Sequence, residues 1–145
     1  MAIVGQDCEL VIDGQGYFVK PGTYRMKQPR VRKATVRADN GESYVDLGPG
    51  KRTWSMVLLC SNDLLKYDGT ATGITGQQYR DALRTSYAQV GVTINYTDPL
   101  NGAAIPVHFD SYAEAVLDLH SQQVPLAVGA SPGLSYEVAI ELVEA

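Results

Sequence analysis

The chain has 145 residues, enough for one hydrophobic core. Its 45% hydrophobic and 19% charged content is that of an ordinary globular domain and excludes a disordered, collagenous or coiled-coil chain. The net charge of −4 is unevenly spread: residues 20–52 hold nine of the twelve cations and three acids, a balance of +6, which leaves −10 elsewhere. Such polarity gives a chain opposed electrical sides unless the fold interleaves them.

In chain order, Cys8 to Ile12 and Tyr17 to Val19 read as a hairpin about Asp13-Gly14, a pair that tolerates the positive φ of a tight turn. Arg30 to Ala38 alternates without a greasy face, which predicts a wet strand or one covered from outside the monomer. Asn40-Gly41 turns it into Tyr44 to Leu47. Gly48-Pro49-Gly50 is a second turn. Arg52 to Ser61, with Trp54, Met56, Leu58 and Cys60 on one side and Val57 and Leu59 on the other, reads as a central strand covered on both faces. Thr75 to Val90 is the helix, with Thr75 as N-cap, Gln78 completing a capping box, and Gly91 as its stop. Val92 to Thr97 and Ala104 to Val116 are strands, and Pro106 predicts an edge or a bulge in the second. Gln122 to Gly133, with Pro125, Gly129, Pro132 and Gly133, is expected to be a long irregular or partly extended connection. Tyr136, Val138, Ile140 and Leu142 give the closing strand a clean buried face. Six or more strands with one helix predict a mainly β fold, a β-sandwich or split barrel with one flanking helix, as a single domain over residues 1–145.

Catalytic and cofactor chemistry is not written in these residues. Gly48 to Thr53 departs from a phosphate-binding loop at Val45 and Arg52, and Gly14-Gln15-Gly16 lacks the third glycine of a dinucleotide fingerprint. His108 and His120 have no ligand at metal spacing, and no serine sits in a nucleophile elbow. Cys8 and Cys60 read as reduced core thiols. Asp110, Glu114 and Asp118 are expected to form an acidic row on one face of their strand. The expectation is therefore no enzyme, no metal and no cofactor. No apolar run spans a membrane and the start lacks a signal peptide's pattern, so synthesis in the cytosol is expected. Few aromatics accompany the basic segment, so it is not a base-stacking surface.

The layout of a basic strand, Gly48-Pro49-Gly50, the strand Arg52-Thr53-Trp54-Ser55-Met56-Val57-Leu58, one helix over Tyr79 to Tyr87, a strand pair and a terminal strand Ser135 to Leu142 resembles the bacteriophage tail-tube fold over residues 25–145. That fold is shared by tail tubes, distal tail proteins and contractile injection tubes, and the chain looks most like the ring-forming barrel at the tip of a long non-contractile tail. The resemblance implies a virion protein of the tail, made in the host cytoplasm. It would form six-fold, occasionally three-fold, rings that pass DNA through a lumen without reading its sequence. Partners would be further copies of itself and neighbouring tail or baseplate proteins, with no membrane. Ring closure removes open sheet edges, and stacked rings need complementary ends. On this reading Arg30, Arg32, Lys33 and Arg37 supply the cationic side of the subunit contact, and Asp118, Glu137 and Glu141 the acidic side. A DNA conduit is usually lined with acids, which assigns the basic strand to a neighbour rather than to the lumen. Two other classes fit the sequence: a capsid-decorating or carbohydrate-binding β-sandwich, and a DNA-binding accessory protein.

Overall fold

A computed structural model describes residues 3–62, 64–100, 102–117 and 135–145. Its elements are β1 (Leu10–Ile12), β2 (Gln15–Val19), β3 (Arg25–Lys27), β4 (Arg30–Val36), β5 (Glu42–Pro49), β6 (Thr53–Cys60), α1 (Gly76–Tyr87), β7 (Ile94–Thr97), β8 (Ala104–Val116) and β9 (Tyr136–Glu144). All strand pairings between these elements are antiparallel. They run β2-β1-β7-β8-β9-β6, and β2 then pairs with β6 to close a six-stranded barrel. β3 follows β2 along the same side of β6 as an added strand. The fold is thus a mainly β barrel with one helix, as the strand count predicts.

The interior follows from period-two alternation. Trp54, Met56, Leu58 and Cys60 of β6 meet Tyr136, Val138, Ile140 and Leu142 of β9, pair by pair in register, and all eight are buried. Asp13 (φ 53°) and Gly14 (φ 82°) make the tight β1–β2 turn. Helix α1 starts on the expected capping box, Gln78 N–H donating to Thr75 Oγ1 while Gln78 Oε1 accepts from Thr75 N–H. Tyr79, Leu83 and Ser86 face inward. The helix packs on β6 and β9 at the end of the barrel where the β1–β2 turn and the close of β8 also lie: Ser86 Oγ donates to Asp13, and Arg84 Nε lies 2.6 Å from Glu114 Oε1.

Several expectations are corrected. The helix ends at Tyr87, not Val90, because Gln89 N–H turns back to Ser86 O and its side chain reaches Asp13, drawing the chain off the helical path before Gly91. Gly48 and Pro49 do not form a turn; they pair with Val31 and Arg30, with the register slipping at Leu47-Gly48, where Gly48 has φ 88°. The outward face of β6 is only part-buried, so that strand is central but not covered on both sides. β8 is not an edge, since it pairs with both β7 and β9. Pro106 is tolerated there because its carbonyl, and hence its missing N–H, faces Ala145, just past the end of β9. The bulge falls at Asp110 instead, between Phe109 and Ser111. It reverses the strand's parity, so Asp110 and Glu114 do not form one row: Glu114 bonds to the helix, whereas Asp110 lies beside Glu141 on the outer wall. Asp118, His120 and residues 122–133 lie outside the described residues.

Candidate assembly surface

Residues 30–49 form a two-stranded arm. β4 continues the path of β3 after Gln28-Pro29, and β5 runs into β6 through Gly50-Lys51-Arg52. At this junction Gly50 N–H donates to Pro29 O at 2.6 Å, and a Cβ on Gly50 would lie 3.0 Å from Val31. Every residue of β4 is exposed, as are six of the eight in β5. Among the described residues β4 and β5 pair only with each other, which leaves backbone groups on their outer edges without a ladder partner there. A lone two-stranded hairpin is marginal in water and presents edges that other chains can join.

The register separates two faces. One carries Arg30, Arg32, Ala34 and Val36 with Glu42, Tyr44 and Asp46; the other carries Val31, Lys33 and Thr35 with Ser43, Val45 and Leu47. On the first, Arg30 grips Asp46 through Nε and Nη2 at 2.9 and 2.6 Å, and the Tyr44 hydroxyl donates to Glu42 at 2.8 Å. The Arg30 guanidinium, helped by Gly48 N–H, holds the Asp46 carboxyl below its ordinary range. At the tip Arg37 lies 3.5 Å from Asp39. Two of the four expected interface cations are therefore matched within the arm, and Arg32 and Lys33 have no ion-pair partner among the described residues.

The expected acids lie elsewhere on the barrel. Glu137 is engaged by Lys20 at 3.2 Å. Glu141 is exposed on the outer wall, opposite Ser55 of β6 and Ser111 of β8, with no ion-pair partner among the described residues. The charge polarity of the sequence is partly interleaved by the fold, since Lys20–Glu137 and Arg52–Glu144 (2.6 Å) join the basic window to the acidic remainder. The structure does not bring the six described residues of this set, Arg30, Arg32, Lys33, Arg37, Glu137 and Glu141, into one cluster within a monomer, and Asp118 lies outside the described residues.

Sequence reasoning missed the apolar content of the arm. Val31, Val45 and Leu47 are 41%, 49% and 61% exposed and share one face. Pairing the strands outward from Asn40-Gly41 as a two-residue turn would have set Lys33 opposite Gly48; the observed turn is centred on Asp39, which sets Lys33 opposite Val45 and creates that face. Sequence reasoning named Asp110 but misplaced it, because the direction of that side chain depends on a bulge with no sequence mark. No helix among the described residues is long and apolar enough to cross a membrane. Comparison with protein-family models and with curated proteins finds no match for this chain.

Proposed function

We propose that the chain is a structural subunit of a homo-oligomeric ring in a bacteriophage tail, a tail tube or distal tail ring, most simply a hexamer, through which DNA passes. The observation that carries this reading is the β4–β5 arm, a ribbon that among the described residues pairs only with itself and exposes three large aliphatic side chains on one face. A monomer gains nothing from ordering twenty residues in this way, because the backbone entropy of roughly 1–2 kcal/mol per residue is met by little burial. A neighbouring subunit that covers the arm supplies the missing burial. The closed barrel adds a rigid base with few open edges. The resemblance of layout to the tail-tube fold supports placing such a ring in a tail.

Native mass measurement and negative-stain imaging test the proposal. Rings or stacked tubes are expected for the wild type. Replacing residues 30–49 by a short Gly-Gly connection between β3 and β6 should leave a folded monomer that forms none. A wild type that stays monomeric at every concentration, with or without other tail proteins, refutes the ring. Salt-sensitive DNA binding or glycan binding by such a monomer would transfer the assignment to one of the rival classes.

A further inference from the structure

The outer wall of the barrel holds a trough suited to the arm. Two depressions, of about 340 and 320 Å³, share Arg25, Ser55 and Glu141 and so form one continuous channel across β3, β6, β9 and β8. Its floor is made of short side chains, with Val57, Ala139 and Ala113 in one cross-strand row and Ser55 and Ser111 in the next, where Glu141 rises between the two serines. Its banks differ in sign: Arg25 and Lys27 stand on the β3 side, Asp110 and Glu141 on the β8–β9 side.

We propose that this trough receives the β4–β5 arm of a second copy of the chain, with Val31, Val45 and Leu47 facing the floor and Lys33 against Glu141 and Asp110. The proposal rests on the ring reading and specifies its contact. The choice of arm face follows from what each side chain already has. The Arg30 face is occupied by its own ion pair and by the Tyr44–Glu42 hydrogen bond. The opposite face has aliphatic groups and one cation, none engaged in an ion pair among the described residues. Orientation follows from the banks, because a lysine is repelled by Arg25 and Lys27 and attracted by the carboxylates. The short floor residues let a flat ribbon approach closely, and apolar burial carries the affinity while the lysine fixes the direction. Arm and trough are different surfaces of one chain, so the contact is heterologous: each copy gives an arm and accepts one, which propagates to a closed ring or an open filament.

Two cysteine variants test it, the native Cys8 and Cys60 being buried. Copies bearing Val45→Cys are assembled with size-tagged copies bearing Ala139→Cys and oxidised, and the mixed disulfide is read on a non-reducing gel. The mixed band is expected in high yield, and Val36→Cys, on the other arm face, should give at least tenfold less. Leu47→Asp changes a residue that is already 61% exposed, so the monomer should stay folded while assembly weakens at least tenfold. Rings that form without the Val45–Ala139 cross-link, or that cross-link equally through Val36, overturn the arm-in-trough contact and leave the ring reading intact. A protein that never assembles overturns both.

Discussion

Replacing Tyr17 by phenylalanine should make the protein more stable, and replacing Tyr24 by phenylalanine should make it less so. Tyr17 is fully buried, its ring lies 5.8 Å from that of Tyr79, and its hydroxyl has no hydrogen-bond partner among the described residues. The folded state therefore carries the desolvation of that hydroxyl uncompensated, a cost of about 1–3 kcal/mol that phenylalanine removes at almost constant volume. Tyr24 is only half-buried, and its hydroxyl is paired. Its hydroxyl accepts from Tyr96 at 2.6 Å and donates to Asp98, and Tyr96 is fully buried. Tyr24→Phe strands the Tyr96 hydroxyl in the core and should cost about 1–3 kcal/mol. The two variants delete the same oxygen, so they should separate by at least about 2 kcal/mol, or about 1 M in urea midpoint at a slope near 2 kcal/mol/M. Urea titrations of dilute protein followed by fluorescence of Trp54, the sole tryptophan, measure both. A Tyr17→Phe protein that loses more than about 0.5 kcal/mol would show that the hydroxyl is paired in the folded state, and the reasoning would fail.

Trp54→Ala should cost about 3–5 kcal/mol, since Trp54 is 1% exposed and packs edge-on against Tyr96; calorimetry of the melting transition checks it. Leu83→Asp, at a fully buried helix position, should leave the protein insoluble or unfolded by circular dichroism. Burial pushes the Cys60 thiol up to about 12 and raises that of Cys8 as well, so neither should react with a thiol reagent at pH 8 until urea is added. The Arg52 guanidinium and backbone hold the Glu144 carboxyl below its ordinary 4.5; this contribution is present above pH 4.5 and is lost as pH falls through the lowered value, so Glu144→Gln should flatten the acid limb of the stability curve.

The barrel was legible wherever one side of a strand is buried and the other wet. Tyr136 to Leu142 shows it best, because a register error there would put four large apolar groups into water. The helix start was legible because a capping box is a local device, and its end was not, because a long-range contact from Gln89 to Asp13 decides it. The arm was visible as a strand without a greasy face, yet its apolar side emerges only once β4 and β5 are set in register. The acidic row failed for a related reason: a single extra residue at Asp110 turns everything after it over, and backbone register, not composition, places that residue. The partner of Arg30 lies across the hairpin and that of Arg37 in its turn, so counting charges along the chain overstated what the arm offers to a neighbour.

The interior of the barrel is filled by Trp54, Tyr17, Tyr96, Leu58 and their neighbours. Even eight strands enclose only enough room for side chains, and this barrel closes with six. No polymer can thread the subunit along its own axis. Any passage that several copies enclose is bounded by their outward-facing side chains, so its bore is set by how many copies close the circle and how far they stand apart. Enlarging or shrinking a core side chain would then alter the melting point and leave the bore unchanged, whereas a substitution on the outer wall could resize the bore without touching the melting point.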